Sequence, residues 1–318
     1  MICSINIQIR MGALLIKRYI WLINLLNRYS KQGLTLKTIN SEWERSIYYK
    51  DCGGRDISRE TLRNHCSAIY SIWGIDIVCI RSGANSYYKI NTEGENTFDQ
   101  SMEWLLSSMA TEELITVSKD IPDKILLEKP NAGSNYLSSI TTALRDNIVL
   151  NIEYQSFHVG SESQIDLLVE PLCLKMFKRR WYMLCRRFSD KAFRIYALDR
   201  LHKIELTPEH FTYPENFSPQ DYFAPYYGIS TDGYAEKCRV LLKAYQELPK
   251  YFVSQPLHHS QEIKEQTPEY TVFEYWIIPA FDFVQEILLH SEQLEVLEPG
   301  LLRQLVKEKV ERIAELYR

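Results

Sequence analysis

The segment from residue 58 to residue 90 limits the fold most, because a capped helix there is followed at once by two short strands. Ser58 is a suitable N-cap, Glu60 stands in the first turn, and Gly74 ends the helix. Between the two ends an apolar stripe repeats at helical spacing, formed by Leu62, Cys66, Ile69, Tyr70 and Trp73. Two strand patterns then enclose the turn sequence RSGANS, at 75–80 and 87–90.

Two further helices are predicted ahead of this segment. Apolar residues of the first recur at helical spacing, at Ile16, Ile20, Ile23 and Leu26. The second begins at Thr35 and has one apolar face, formed by Leu36, Ile39 and Trp43. Three helices and a hairpin together predict a winged helix-turn-helix domain over residues 11–92.

The polar face of the third helix predicts contact with DNA, because in a winged helix-turn-helix this helix enters the major groove. Arginine reads guanine there and asparagine reads adenine, so the candidate base-reading residues are Arg59, Arg63 and Asn64, and Ser67 is a further candidate for DNA contact on the same outward face. Residues that would contact phosphate lie on the wing and near the other helices, at Lys37, Arg55, Arg81, Ser82 and Lys89. The alternative is that the module binds a protein partner.

The charge of the chain is distributed unevenly along the sequence. The formal net charge is −4, yet residues 1–90 carry 13 Lys and Arg against 6 Asp and Glu, a net charge of +7. A basic segment on an otherwise acidic protein favours a polyanion such as double-stranded DNA as the partner of that segment. A solvated basic face is the alternative.

Residues 93–135 are predicted to form a helical linker. Its apolar stripe, which would pack in a core or form a dimer seam, consists of Phe98, Met102, Leu105, Leu106 and Met109. A second helix from Tyr136 to Asp146 leads into a strand pattern with alternating apolar residues, at Ile148, Leu150, Ile152 and Tyr154.

Two later strands carry the same pattern, RWYMLCR at 180–186 and RIYALDR at 194–200. Side chains alternate across a strand, so each strand presents two arginines and a tyrosine on one face: Arg180, Tyr182 and Arg186 on the first, and Arg194, Tyr196 and Arg200 on the second. A hairpin in symmetric register would place Arg186 opposite Arg194 and Arg180 opposite Arg200. Such a surface predicts an anionic ligand, either a nucleotide or a short single-stranded nucleic acid. In the alternative, the arginines pair with acids of the same domain, namely Glu153, Glu170, Asp199 or Glu205.

Four motifs resemble the signature of the WYL-domain transcriptional regulators: IEYQS at 152–156, EP at 170–171, RRWYML at 179–184 and FRIYALDRL at 193–201. Met183 stands where the namesake motif has leucine, a change that conserves volume. Two further motifs, LHHSQ at 257–261 and EVLEPGLLRQLV at 295–306, resemble the C-terminal extension of that family.

The resemblance implies an α+β multidomain protein with a small Sm-like β-barrel at 136–208 that senses a ligand. It also implies a ferredoxin-like extension at 233–318, and a homodimer whose DNA-binding domains respond to the ligand. The ligand contacts it implies are Tyr154, Arg180, Tyr182, Arg186, Arg194 and Arg200.

The sequence holds no GxxxxGK, GxSxG or HExxH motif and no histidine cluster with metal-ligand spacing, so we expect no enzyme activity, cofactor or metal. His258 and His259 are expected to be structural, and the acids among the arginines are expected to form ion pairs. The seven cysteines form no CxxC pair, and no apolar run is long enough for a bilayer, which predicts a cytoplasmic protein with reduced thiols.

These features together predict a bacterial, ligand-responsive transcriptional regulator. The alternative is an accessory or interaction protein that binds nucleic acid without controlling transcription. An operator with a two-fold repeat would favour the first, and uniform binding to any duplex would favour the second.

Overall fold

The computed structural model of the chain describes residues 2–82, 85–91, 100–117, 122–126, 133–157, 163–233 and 236–318. The chain divides into two compact units, residues 1–128 and 129–318, which are described separately below. Among the described residues, no helix has an apolar stretch long enough to cross a membrane.

The first unit is mainly helical and includes a small antiparallel sheet. Its helices are α1 (Ile2–Arg28), α2 (Leu36–Arg45), α3 (Tyr48–Asp51), α4 (Arg59–Trp73) and α5 (Gln100–Val117). Its strands are β1 (Leu34–Thr35), β2 (Ile77–Ser82) and β3 (Asn85–Ile90), in the order β1-β3-β2. Helix α1 begins well before residue 11, where the sequence predicted the domain to start.

The ends of α2 and α4 lie where local sequence signals predict them. Thr35 caps α2, and the Ser58 side chain accepts a hydrogen bond from the Thr61 amide at the start of α4. Gly74 ends α4 with a φ of 71°. One residue of the predicted apolar stripe is wrong, since Tyr70 is 53% exposed while His65 is buried. At 100° per residue, His65 lies nearer than Tyr70 to the direction of the fully buried Leu62 and Ile69.

Helix α5 belongs to the core of the first unit, although its sequence was predicted to be part of a linker. Leu106 and Met109 are buried in one cluster with the apolar face of α1. The Asn24 side chain also donates a hydrogen bond to the Met109 carbonyl oxygen at 3.4 Å. Core packing therefore accounts for these two residues of the stripe. Phe98 and the side chain of Met102 lie outside the described residues.

The second unit begins with a helix and a five-stranded antiparallel sheet. Its elements are α6 (Leu137–Asp146), β4 (Ile148–Gln155), β5 (Ser163–Phe177), β6 (Arg180–Arg187), β7 (Phe193–Ala197) and β8 (Leu201–His210), with the strand order β7-β6-β5-β4-β8. Helix α6 packs Ile140 and Ala143 against one face of this sheet. Lys178 and Arg179, both with positive φ, make the two-residue turn between β5 and β6.

Residues 211–230 connect the five-stranded sheet to the C-terminal part of the unit and pack against the sheet. Phe211 and Phe223 lie in one buried cluster with Val149, Leu172 and Leu184. The short helix α7 (Pro219–Phe223) forms part of this connecting segment. Leu184 lies between Tyr182 and Arg186 on the β6 face that was predicted to bind ligand, so the connecting segment covers this part of the face.

The C-terminal part combines a four-stranded antiparallel sheet with three helices. In chain order these are β9 (Cys238–Tyr245), α8 (Leu248–Ser254), β10 (Glu262–Gln266), β11 (Tyr270–Ile277), α9 (Phe281–Leu289), β12 (Leu294–Glu298) and α10 (Gly300–Glu315). The strand order is β10-β11-β9-β12. Alternate residues of β9, β11 and β12 and the apolar faces of the three helices form one core.

Candidate nucleic-acid interface and ligand site

The predicted DNA-reading residues all lie on the exposed side of α4. Arg59, Arg63, Asn64 and Ser67 are exposed, and Leu62 and Ile69 on the opposite side are buried. The Ser67 hydroxyl donates to the Arg63 carbonyl oxygen at 3.2 Å, so it is engaged with its own helix. Helix α4 thus presents two arginines and an asparagine on one face, which are groups able to hydrogen-bond base edges.

Packing and hydrogen bonds hold α4 and the preceding loop in place. Trp43 is fully buried against Trp21, with ring centroids 4.8 Å apart, and its indole nitrogen donates to the Arg55 carbonyl oxygen at 3.1 Å. The Asn40 side chain bonds both the amide and the carbonyl of Ile57, at 2.8 and 3.1 Å. Ile57 directly precedes the cap of α4, so these bonds orient the start of the helix.

The candidate phosphate-binding residues are spread over several elements of the first unit. Lys37 is exposed on α2, Arg55 is exposed in the loop before α4, and Arg81 and Ser82 are exposed on β2. Lys89 on β3 is only half-buried. These positions leave the cationic groups accessible on the helices and on the hairpin of the same unit.

The predicted register of the β6–β7 hairpin is wrong by one residue. Arg186 lies opposite Phe193, and Arg194 lies opposite Cys185. The loop sets this register, because the Arg187 amide donates to the Ala192 carbonyl oxygen at 2.9 Å. A shift of one residue moves a side chain to the other face of the sheet, so Arg186 and Arg194 lie on opposite faces.

The predicted four-arginine surface therefore does not form. Arg180 lies opposite Phe177 of β5, and Arg200 belongs to a 3-10 turn between β7 and β8. Of the acids named as alternative partners, Glu170 pairs with Arg186 and Asp199 pairs with Arg180 at 3.2 Å. Ion pairing within the domain thus accounts for two of the four arginines.

Arg186 has a structural position between the sheet and the connecting segment. Its Nε donates to Glu170 at 2.5 Å, and its Nη2 donates to the Thr212 carbonyl oxygen at 3.0 Å. Glu170 is 2% exposed and also accepts a hydrogen bond from Lys191 at 2.5 Å. These internal bonds engage the guanidinium that the sequence predicted to contact a ligand.

Tyr154 and Tyr196 are core residues. Their rings pack edge to face with centroids 4.9 Å apart, and they are 8% and 6% exposed. Burial raises the pKa of Tyr196 to about 12. Neither ring faces outward as the predicted surface requires. Arg194 is exposed, and its Nη1 donates to the Phe193 carbonyl oxygen at 2.7 Å.

Four residues form what we call the arginine cluster: Arg180, Tyr182, Asp199 and Arg200. Burial raises the pKa of the half-buried Tyr182, while the charges of Arg180 and Arg200 lower it. Within the described residues, Asp199 Oδ1 and Arg200 Nε are buried without a hydrogen-bond partner. The cluster thus combines two guanidinium groups, a phenol and one unpaired N–H donor, Arg200 Nε, which suit a ligand with anionic oxygens, whereas the unpaired Asp199 oxygen suits a donor group of the ligand.

Phe157 adds an aromatic face that the sequence analysis missed. The Arg200 guanidinium lies over its ring, with the Arg200 Cζ atom 4.3 Å from the ring centroid, and Phe157 is 66% exposed. In the sequence, Phe157 is marked only as an aromatic residue directly after IEYQS. No sequence pattern links it to Arg200, which lies more than forty positions later.

His258 has a structural role, as the sequence predicted. Its ring nitrogens lie 2.7 Å from the Ser260 hydroxyl and 2.7 Å from the Ala224 carbonyl oxygen. Burial lowers the pKa of this imidazole. Among the described residues there is no group of three His, Cys, Asp or Glu side chains that could hold a metal ion.

Two solved structures show a distant likeness to this chain. Proteasome accessory factor B/C (PafBC) of Arthrobacter aurescens is 15% identical, with a TM-score of 0.32; the match covers 92% of this chain and 46% of that chain. A CRISPR Cas-related protein is 10% identical, with a TM-score of 0.39, and the match covers 96% of this chain and 85% of that chain. This chain thus spans less than half the length of PafBC.

The comparison with protein families identifies one domain in part of the chain. No curated protein matches the chain. Residues 135–206, which contain α6 and nearly all of the five-stranded sheet, match the family model of the WYL domain. The chain therefore contains a WYL domain.

Proposed function

We propose that this protein is a DNA-binding transcriptional regulator whose WYL domain senses an anionic ligand, a nucleotide or a short single-stranded nucleic acid. The observation that carries the proposal is the exposed face of α4, where Arg59, Arg63 and Asn64 stand together. Residues 1–90 have a net charge of +7, which adds sequence-independent attraction to phosphate. We assign no catalytic role to any residue.

The arrangement of elements supports a three-part architecture. Helices α1, α2 and α4 followed by the β2–β3 hairpin correspond to a winged helix-turn-helix. The helix followed by five antiparallel strands in the order β7-β6-β5-β4-β8 is the part that we assign to an Sm-like barrel. The β-α-β-β-α-β sequence with strand order β10-β11-β9-β12 corresponds to a ferredoxin-like extension.

In this proposal the protein acts as a cytoplasmic homodimer, with one α4 in each half of a two-fold operator. The six described cysteines are free thiols, which suits a reducing compartment. Selection of binding sites from a random duplex library tests the proposal directly. A recovered motif with a two-fold repeat supports a regulator, and enrichment of no sequence supports the alternative of a general nucleic-acid-binding accessory protein.

Arg63→Ala should weaken binding to the selected operator by about tenfold or more, since one bidentate arginine–guanine contact is worth about 1–3 kcal/mol. It should also relax the base preference at one position of the site. Titration of the duplex at fixed salt measures both effects. Arg145→Ala removes the same charge from an exposed position in the second unit and should leave affinity unchanged. An equal loss of affinity on every sequence would exclude Arg63 as a base-reading residue.

Arg180→Ala with Arg200→Ala should weaken the binding of oligothymidylate of about ten nucleotides by at least tenfold, because both guanidinium groups of the arginine cluster are lost. Fluorescence anisotropy with a labelled oligonucleotide measures this dissociation constant. Arg194→Ala is the matched control, since it removes an exposed arginine outside the cluster. Equal weakening by the control would contradict the assignment of the ligand site to the cluster.

A further inference from the structure

Helix α9 of the C-terminal part contacts the turn that joins β5 to β6. Glu286 on α9 is 7% exposed, and its Oε2 accepts a hydrogen bond from Lys178 Nζ at 2.6 Å. Tyr227 also bonds this carboxylate, and His290 Nε2 lies 3.3 Å from its Oε1. An acid of the C-terminal part thus holds a lysine two positions before Arg180 of the arginine cluster.

Asp282, one helical turn before Glu286, holds the connecting segment on the same side of α9. Its Oδ2 accepts hydrogen bonds from the amides of Ile229 and Ser230, at 2.8 and 2.7 Å. Gly228 has a φ of 94°, and a Cβ atom there would lie 2.5 Å from Asp282 Oδ2 and 2.8 Å from Phe177 Cζ. Only glycine fits this close approach of three elements.

A row of aromatic rings continues these contacts into the C-terminal core. Phe177 of β5 packs on Tyr227 with ring centroids 5.5 Å apart, and Tyr227 packs on Phe283 of α9 at 6.0 Å. Phe283 in turn packs on Tyr275 of β11, also at 6.0 Å. A displacement of the β5–β6 turn would therefore disturb the packing of α9.

The carboxylates of α9 at this contact carry negative charge, so they would repel an anionic ligand. Burial favours a raised pKa for Glu286, but hydrogen bonds from Lys178 and Tyr227 hold it below its usual value, so the carboxyl group is ionised. The charge of Asp282 acts on Tyr182 of the arginine cluster. Of the two α9 carboxylates, Glu286 thus holds the lysine that precedes β6, and the charge of Asp282 reaches Tyr182.

We propose that Glu286 is an internal competitor of the anionic ligand: in the free protein it holds Lys178, and ligand bound at the arginine cluster draws Lys178 away and repels α9. This inference rests on the ligand site proposed above. The competition is reciprocal, because the contact between α9 and the β5–β6 turn must weaken ligand binding by the same factor by which ligand weakens the contact. The WYL domain thereby transmits ligand binding to the C-terminal part.

Glu286→Gln should bind oligothymidylate of about ten nucleotides at least fivefold more tightly than the unaltered full chain, since coupling between sites is typically about 5- to 150-fold. Glutamine has nearly the same shape but lacks the negative charge. Glu292→Gln is the matched control, because it removes an exposed carboxylate just after α9. Unchanged or weaker binding by Glu286→Gln, or equal tightening by the control, would overturn the proposal.

A second measurement needs no variant and so does not depend on the folding of Glu286→Gln. Saturating the unaltered chain with the same oligonucleotide should speed hydrogen exchange at the Ile229 and Ser230 amides, which Asp282 holds. Unchanged or slower exchange would overturn the competition. If instead Arg180→Ala with Arg200→Ala binds as well as the unaltered chain, the ligand site itself is wrong. Loss of binding in that double variant without any effect of Glu286→Gln would refute only the competition.

Discussion

Replacing Glu170 with alanine is expected to lower the free energy of unfolding by about 2 kcal/mol, because Arg186 and Lys191, which stay partly exposed to solvent, each lose a charge-assisted hydrogen bond. Glu170 is 2% exposed and bonds Arg186 and Lys191, at 2.5 Å each. Among the described residues, Arg186 would keep its bond to the Thr212 carbonyl oxygen. Urea titration of the full chain, followed by circular dichroism, measures the loss.

Asp190→Ala is the matched control for Glu170→Ala. Asp190 pairs with Arg187 in the loop that contains Lys191, but its side chain is 44% exposed. Exposed ion pairs contribute little to stability, and the further loss among the described residues is the bond from the Ala192 amide to Asp190, so this variant should lose at most about half as much stability as Glu170→Ala. An equal loss of stability in both variants would contradict the idea that the burial of Glu170 causes the larger loss.

The contacts of Arg186 with Glu170 and Thr212 indicate that this arginine stabilises the fold. The sequence predicted it to contact the ligand, whereas the structure places it between Glu170 and the connecting segment. Arg186→Ala should therefore lower the urea midpoint and leave oligonucleotide affinity nearly unchanged. Weaker oligonucleotide binding at full stability would restore its predicted role.

Elements marked by local signals were predictable from the sequence. The start and end of α4 depend on Ser58 and Gly74, whose side-chain chemistry acts within a few residues of the chain. The strands and helices of the C-terminal part likewise alternate with clear changes of period along the sequence. The exposed polar face of α4 follows from the same short-range periodicity.

The ligand face depended on information that is not local. The alternation of β6 and β7 is the same in either register, and the loop bond between Arg187 and Ala192 decides between the two. The covering of Leu184 by Phe211 and Phe223 depends on a segment without a strong helix or strand pattern. Glu286 lies 108 positions after Lys178, so no spacing rule connects the two residues.

His65 links the stability of the first unit to pH. It is 5% exposed on the buried side of α4, and its ring packs on Tyr19 with centroids 5.0 Å apart. Burial, with a smaller contribution from the Arg18 charge, lowers the pKa of His65 from 6.5 to about 4. Within the described residues its Nε2 atom is buried without a hydrogen-bond partner.

The unit is therefore expected to lose up to about 3 kcal/mol of stability as pH falls from above 6.5 to about 4. Above pH 6.5, His65 is neutral in both the folded and the unfolded chain. Between pH 6.5 and about 4, His65 is protonated in the unfolded chain but stays neutral in the folded chain. Hydrogen exchange of α4 at several pH values measures this loss. His65→Phe and His65→Gln differ in packing but both lack the titrating ring, so both should flatten the pH dependence. An equally steep loss in both variants would assign it to other groups.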